Sequence, residues 1–319
     1  MNNLTQRDSR AVDQAKTRSI AINVLVKNAI LNAQQWRSYI EQEIGFVLPD
    51  IQLKWLVNAV DHTAAAHQLT VEQLWTALPF NSELRQKLLD AVLIPESRFF
   101  RHIPSIRFIT EHALQYQQQA HLNGLNTDNL FRIWSVGCAH GQEVWTLAMS
   151  LAAQRMTNYA ILGTDVSKQA LTKAQLGRYD EQQRHLIPQD CQQFIQPLVP
   201  EHVTCRPNPY DLSMINQPRT AIQADWQIAA TLRQHVSFVW HNIFTQELST
   251  PYLQQVIICQ NVLLYFRKFD QRDILTRLAA QCALGGYIVL APGEALFWRP
   301  SNMRRIAHPQ INAWQKISA

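Results

Sequence analysis

From Phe131 onward the chain alternates short β-branched runs with helical stretches, and this alternation constrains the fold more than any other feature. A strand cannot return to a parallel neighbour through a tight turn, so each such run needs a crossover, usually a helix packed on the sheet. The predicted strands are Phe131–Val136, Tyr159–Thr164, Val236–Trp240, Gln255–Gln260 and Gly286–Ala291, followed by a hairpin at about 304–307 and 312–317. The fold class is therefore α/β, a Rossmann-like parallel sheet. Roughly seventy residues separate the second strand from the third, more than one crossover helix requires. The surplus predicts a small inserted β-subdomain at about 190–232, with strands at His202–Cys205 and Ala221–Ala229 and turns at Pro207, Pro209 and Pro218.

Before residue 95 the pattern is helical throughout. Ile20–Leu31 is apolar-rich without Gly or Pro, and after Pro49-Asp50 the apolar positions Leu53, Leu56, Val57 and Val60 keep helical spacing. Thr70 with Gln73 reads as a capping box opening Val71–Leu78, and Asn81 or Ser82 caps a helix to Leu93. The expected organisation is an N-terminal helical domain over 1–95 and a larger α/β domain over 96–319.

Composition narrows the function classes. Of 319 residues, 47% are hydrophobic and 17% charged, enough apolar material for a core and too few charges for a disordered chain. Met1–Arg10 lacks the basic-then-apolar layout of a secretory signal, and the apolar window Val256–Phe266 falls short of the ~20 residues that span a bilayer. A cytoplasmic protein without membrane insertion is expected. Five widely spaced cysteines suit reduced thiols, and the eleven histidines show no metal-ligand spacing, so no metal is predicted. Residues 1–95 balance nine Lys/Arg against nine Asp/Glu, so the net charge of +5 belongs to the second part. That excess is too small to mark a nucleic-acid binder, and no nucleic-acid partner is expected.

The strongest local signal is a strand, a turn and a helix. Arg132-Ile133-Trp134-Ser135-Val136 leads into Gly137-Cys138-Ala139-His140-Gly141-Gln142-Glu143 and then the helical Val144–Ala153. Glycines at the carboxyl end of a first parallel strand let a ligand approach the backbone where open α/β sheets bind cofactors. The spacing is not the dinucleotide fingerprint, so a dehydrogenase loses ground. Asp165 ends the second strand, where an acid accepts hydrogen bonds from ribose hydroxyls; the competing reading is a helix N-cap. Asn242 and Asn261 follow the third and fourth strands, and their joint appearance at strand ends favours binding over the turn role each would have alone.

Four blocks carry a family resemblance: Glu96-Ser97-Arg98-Phe99-Phe100-Arg101, Trp134 through Glu143, Asp165 through Gly177-Arg178-Tyr179, and Cys259-Gln260-Asn261-Val262-Leu263-Leu264-Tyr265-Phe266. In these the chain resembles the CheR-type chemotaxis receptor glutamate methyltransferases. The resemblance implies an S-adenosylmethionine-dependent methyltransferase sheet and S-adenosyl-L-methionine as cofactor, S-adenosyl-L-homocysteine being its product. It implies methyl-accepting chemoreceptor cytoplasmic helices as the partner. By the same resemblance Ser97 and Arg101 belong to a segment closing over the cofactor, with Gly137 in the glycine turn. Glu143 is the acid near the methionine amine, Asp165 the ribose ligand, Asn242 and Ile243 the adenine contacts, and Asn261 a further cofactor contact. Arg101 and Tyr265 border the methyl-transfer centre.

Some residues depart from the family pattern. Gln260 stands where an arginine is usual and Gln142 where the first of two acids is usual, while residues 1–95 are charge-balanced rather than basic. The longer amino-terminal part suggests a specialised branch, one serving a pilus or surface-motility pathway. Two rival readings follow. An N-methyltransferase would carry Asn/Asp-Pro-Pro-aromatic where this chain reads Gln260-Asn261-Val262-Leu263, and a catalytically weak regulatory protein would fit Gln260 and the neutral N-terminal part. For Arg101 the alternative to a catalytic role is an ion pair with Glu96 or Glu111.

Overall fold

The computed structural model describes residues 33–122, 130–198, 225–245 and 250–318. The chain divides into two compact units, Met1–Val92 and Leu93–Ala319.

The described part of the first unit is helical: α1 over residues 33–44, α2 (Leu53–Ala66), α3 (Val71–Ala77) and α4 (Ser82–Val92). Helix α2 buries Leu56, Ala59, Val60, Thr63 and Ala64, whereas Leu53 and Val57 of the predicted stripe lie at its margin. The capping box forms as expected, since Thr70 Oγ1 accepts the Gln73 N–H at 3.2 Å and Gln73 Oε1 accepts the Thr70 N–H at 2.8 Å. Asn81, not Ser82, caps α4 by accepting the Leu84 N–H at 2.9 Å. The predicted helix Ile20–Leu31 lies outside the described residues.

The second unit opens with α5 (Ile103–Leu122), then β1 (Phe131–Val136), α6 (Gln142–Ala153), β2 (Tyr159–Asp165) and α7 (Lys168–Leu176). Three short strands follow, β3 (Arg178–Tyr179), β4 (Ile195–Pro197) and β5 (Trp226–Ile228), with α8 (Ala230–Arg233) after them. The main sheet resumes with β6 (Val236–Trp240), β7 (Gln254–Cys259), α9 (Lys268–Gln281), β8 (Cys282–Leu290), β9 (Met303–Arg305) and β10 (Asn312–Lys316). The seven-stranded order is β6-β2-β1-β7-β8-β10-β9, with β1, β2, β6, β7 and β8 parallel and β10 antiparallel to both its neighbours, β8 and β9. The chain therefore builds outward from β1 through β2 to β6, then returns to β7 on the other side of β1. That reversal opens a crevice beyond the carboxyl ends of β1 and β7, where sheets of this kind bind ligands.

Strand boundaries differ from expectation chiefly at β8, which begins at Cys282 rather than Gly286. Gly285 takes φ +77°, and a Cβ on Gly286 would stand 2.7 Å from the Gln255 carbonyl oxygen, while the register to β7 shifts between Gln254 and Val256. The glycines thus form an irregularity inside the strand rather than its beginning. The small sheet, ordered β3-β5-β4, takes its first strand from Arg178–Tyr179, upstream of the predicted 190. Its central strand realises the end of the predicted Ala221–Ala229; residues 199–224, with His202–Cys205 and the three prolines, lie outside the described residues. Among the described residues no helix is long and apolar enough to cross a membrane, and no His/Cys/Asp/Glu group has metal-holding geometry.

Large fully buried side chains join the layers: Phe131 and Trp134 from β1, Trp145 from α6, Tyr159 from β2 and Trp226 from β5, with Phe99 from the segment before α5. Burying side chains of this size is worth about 1.5–3 kcal/mol each, so the core fixes the strand ends that carry the site.

Candidate cofactor and methyl-transfer site

The turn after β1 depends on backbone conformations that ordinary residues avoid. Gly137 takes φ +67° and Gly141 φ +86°, and Ala139 is also left-handed at +47°. A Cβ on Gly137 would lie 2.5 Å from Val262 Cγ2, so the first glycine lets the turn after β1 pack directly against the turn after β7. Gly141 then opens α6, whose first turn carries Glu143.

Glu143, in the first turn of α6, and Asp165, at the end of β2, sit in different surroundings. Ser135 Oγ, buried on β1, donates to Glu143 Oε1 at 2.7 Å. Burial pushes the Glu143 carboxyl up to about 7; the Ser135 bond and the Arg101 charge pull it down, and Glu294 adds a smaller upward push. Asp165 is bound by backbone donors instead. Its Oδ2 accepts the Ala139 N–H at 2.9 Å and its Oδ1 the Ser167 N–H at 2.8 Å. Ser167, not Asp165, caps α7 by accepting the Ala170 N–H at 3.0 Å, so the cap reading of Asp165 does not hold.

On the other side of β2, His241 N–H pairs with the Asp165 carbonyl at 3.0 Å and Asn242 follows, buried. Asn242 Oδ1 accepts the Phe244 N–H at 3.1 Å, so the turn role does occur here. Arg277 of α9 reaches the carbonyls of Ile243 and Phe244 at 2.6 and 3.2 Å, fixing this segment from behind. Beyond β7, Asn261 is left-handed at φ +60°, Val262 packs on the glycine turn, and the 3-10 turn Leu263–Tyr265 presents a half-buried Tyr265. Burial raises the Tyr265 phenol, Glu96 raises it further and Arg101 opposes them.

The segment before α5 is anchored by its middle. Phe99 is buried edge-on against Tyr179 at 4.8 Å and beside Trp226 at 5.5 Å, while the Phe100 N–H donates to Thr146 Oγ1 of α6 at 3.2 Å. Ser97 is half-buried on the approach and Arg101 is exposed beyond it. Among the described residues Arg101 makes no ion pair with Glu96 or Glu111; its charge acts on Glu143 and on Tyr265.

Gln260 points away from this centre, its Nε2 donating to Ser105 Oγ of α5 at 3.0 Å and to the Leu290 carbonyl at 3.3 Å. Sequence reasoning missed Ser135, Thr146 and Glu294. The last was reachable, because the strand-end logic that selected Asp165, Asn242 and Asn261 applies equally to the residues after β8.

The donor set suits a group bearing an ammonium, a ribose diol and an adenine. Glu143 is a raised carboxyl whose ionised form a cation would stabilise, Asp165 an acid at the β2 end, and Asn242 an amide at the β6 end. The family model for "CheR methyltransferase, SAM binding domain" matches residues 95–207 and 215–311, more than half of the chain. Among curated proteins, "Chemotaxis protein methyltransferase 1" of Pseudomonas aeruginosa is 27% identical over 70% of this chain and 74% of its own length. "Chemotaxis protein methyltransferase Cher2" of Pseudomonas putida is 23% identical over 86% of this chain and 94% of its own. "Probable biofilm formation methyltransferase WspC" of Pseudomonas putida is 23% identical over 89% of this chain and 61% of its own.

Proposed function

The chain belongs to the CheR methyltransferase family, with S-adenosyl-L-methionine as its cofactor, and on that premise we propose that it methylates glutamate side chains on the cytoplasmic helices of chemoreceptors. When bound, the cofactor supplies a sulfonium methyl. Everything else is positioning. A glutamate side chain, with a reference pKa near ~4.3, is already ionised at neutral pH and needs no general base. Holding the carboxylate in line with the methyl at about 3 Å supplies most of the rate through orientation.

In this reading Glu143 holds the cofactor's amine, Asp165 its ribose, and Asn242 with Ile243 its adenine. Gly137 and Asn261 supply backbone and rim contacts, and Ser97 belongs to the closing segment. Arg101 pairs with the incoming carboxylate. Tyr265 remains a protonated donor, since burial raises its phenol from an already basic value, and it fixes the carboxylate's angle. Both contacts also stabilise the ground-state anion, so they must orient more than they attract. The observation that carries the reading is the CheR family match over residues 95–207 and 215–311, within which Ser135 holds Glu143 beside β1 and the Ala139 amide holds Asp165 at the end of β2.

We assign the chemistry to residues 96–319, which follow the N-terminal helical domain over 1–95 and include the inserted subdomain at about 190–232, and place the protein in the cytoplasm. The likeness to WspC supports a surface-associated branch.

The test compares Asp165→Ala with Arg101→Ala, using calorimetric binding of S-adenosylhomocysteine and single-turnover methyl transfer to a receptor cytoplasmic fragment. Loss of Asp165 removes ground-state hydrogen bonds worth roughly 1.5–3 kcal/mol and weakens binding about ten- to a hundredfold. Loss of Arg101 slows transfer at saturating cofactor. Wild-type transfer by Arg101→Ala together with normal binding by Asp165→Ala contradicts both assignments.

A further inference from the structure

One carboxylate joins the ends of β7 and β8. Glu294 follows β8 in Ala291-Pro292-Gly293-Glu294, and its Oε2 accepts the Ala291 N–H at 2.9 Å and the Asn261 N–H at 3.3 Å. Its own backbone is fixed from two directions. The Glu294 N–H donates to the Ala291 carbonyl at 3.1 Å. Buried Asn312 of β10 donates through Nδ2 to the carbonyls of Ala291 and Glu294 at 3.1 and 2.8 Å. The carboxylate is thus a rigid acceptor aimed across the sheet edge at the turn after β7.

The residue it holds is strained. Asn261 stands at φ +60°, a region side chains disfavour and in which Asn is tolerated best after glycine. Nothing in the local sequence enforces that conformation: Gln260 and Val262 flank it without glycine or proline. The turn's onward course depends on it. Val262 must meet Gly137, Leu263 is fully buried, and the Tyr265 N–H returns to the Val262 carbonyl at 3.3 Å. A change of φ at Asn261 redirects everything from there to the phenol.

We propose that Glu294 is a positioning residue that holds Asn261 in its left-handed conformation and thereby sets Asn261 and Tyr265 against the cofactor rim. The inference rests on the reading that these two residues belong to the methyl-transfer site. It assigns Glu294 no contact with cofactor or substrate. Burial raises the Glu294 carboxyl while the Ala291, Asn261, Leu264 and Leu263 amides lower it, so its hold extends along the turn, and the part that passes through Asn261 is what a double-mutant cycle isolates.

The test is a double-mutant cycle of Glu294→Ala and Asn261→Gly, read by S-adenosylhomocysteine affinity, single-turnover transfer and amide hydrogen exchange at Asn261. In the wild-type background Glu294→Ala should weaken binding and slow transfer about tenfold each and strip protection from the Asn261 amide, a coupled rather than additive effect. Glu294→Gln keeps a carbonyl oxygen and should stay within about threefold of wild type, since a neutral acceptor still bonds the amide. In the Asn261→Gly background glycine adopts the same φ without strain, so removing Glu294 should cost less than it does in the wild-type background. An equal cost in both backgrounds, or unchanged exchange at Asn261 in Glu294→Ala, overturns the proposal. Should Glu294→Ala fail to fold, the same cycle run with Glu294→Asp, whose shortened acid withdraws the acceptor, carries the same two outcomes. If wild-type protein binds S-adenosylhomocysteine and shows the cycle but methylates no receptor fragment, the functional reading falls and the role of Glu294 stands.

Discussion

Glu143 lies in the first turn of α6, where the helix dipole favours a negative charge, yet burial raises its carboxyl to about 7. The linkage has a definite sign. Because the folded pKa lies above the unfolded one, this group stabilises the cofactor-free protein below about 4.5, and that contribution is lost as pH rises through about 7. An ammonium group needs the ionised form. Below pH 7 binding must expel a proton, so S-adenosylhomocysteine affinity should rise between pH 5.5 and 7 by about three- to tenfold per unit. In Glu143→Gln the slope should vanish; a flat profile in the wild type contradicts the amine-binding role. At this scale the sequence was informative about identity and silent about surroundings. Asp165 was legible as a strand-end acid, but only the fold shows that Ser167 takes the capping role while Asp165 accepts the Ala139 and Ser167 amides. The Ser135 bond to Glu143 was illegible, because a serine inside a strand gives no sign of which face meets the next helix.

The turns after β1 and β7 act as one element, and Gly137 is where they touch. Gly137→Ala imposes a left-handed alanine and an overpacked contact with Val262, together about 2–4 kcal/mol. Calorimetric unfolding should show a fall in melting temperature of roughly 4–15 °C, part of it recovered in Gly137→Ala/Val262→Ala. No recovery contradicts the packing argument. The glycine turn itself was read from the sequence, though as room for a ligand; its first glycine proves to make room for Val262. Gln260 shows the same limit. In the sequence it is a departure from the family pattern, whereas in the fold its amide ties α5 to the end of β8, next to the segment that bears Arg101. Gln260→Ala should cost about 1 kcal/mol of stability and slow transfer at saturating cofactor without abolishing it. Complete loss of transfer with unchanged stability would place Gln260 in the chemistry instead. Strand positions and their alternation with helices were legible because β-branched runs and helical spacing are strong local signals, whereas the order of the strands in the sheet was not read from the sequence. The β8 boundary was not, since paired glycines look alike at a strand end and inside a bulge.

At the scale of the molecule, an α/β unit is joined in sequence to a helical unit, and the charges over residues 1–95 balance. The strand-end positions of Asp165, Asn242 and Asn261 were foreseeable from the order of elements, whereas Arg101, Glu143 and Tyr265 were reached only through the family resemblance and the sheet's reversal beside β1 only through the fold. The choice of acceptor is another matter. Receptor docking depends on surfaces whose partner is another chain, and no periodicity encodes it. The proposed acceptor is a glutamate carboxylate. The measurement closest to it is incubation with radiolabelled S-adenosylmethionine and a receptor cytoplasmic fragment, followed by mild alkali. A carboxyl methyl ester hydrolyses and releases its label as volatile methanol, as the account predicts. Label that is transferred to the fragment and survives alkali excludes a carboxyl ester and favours methylation of nitrogen, which would overturn this choice of acceptor.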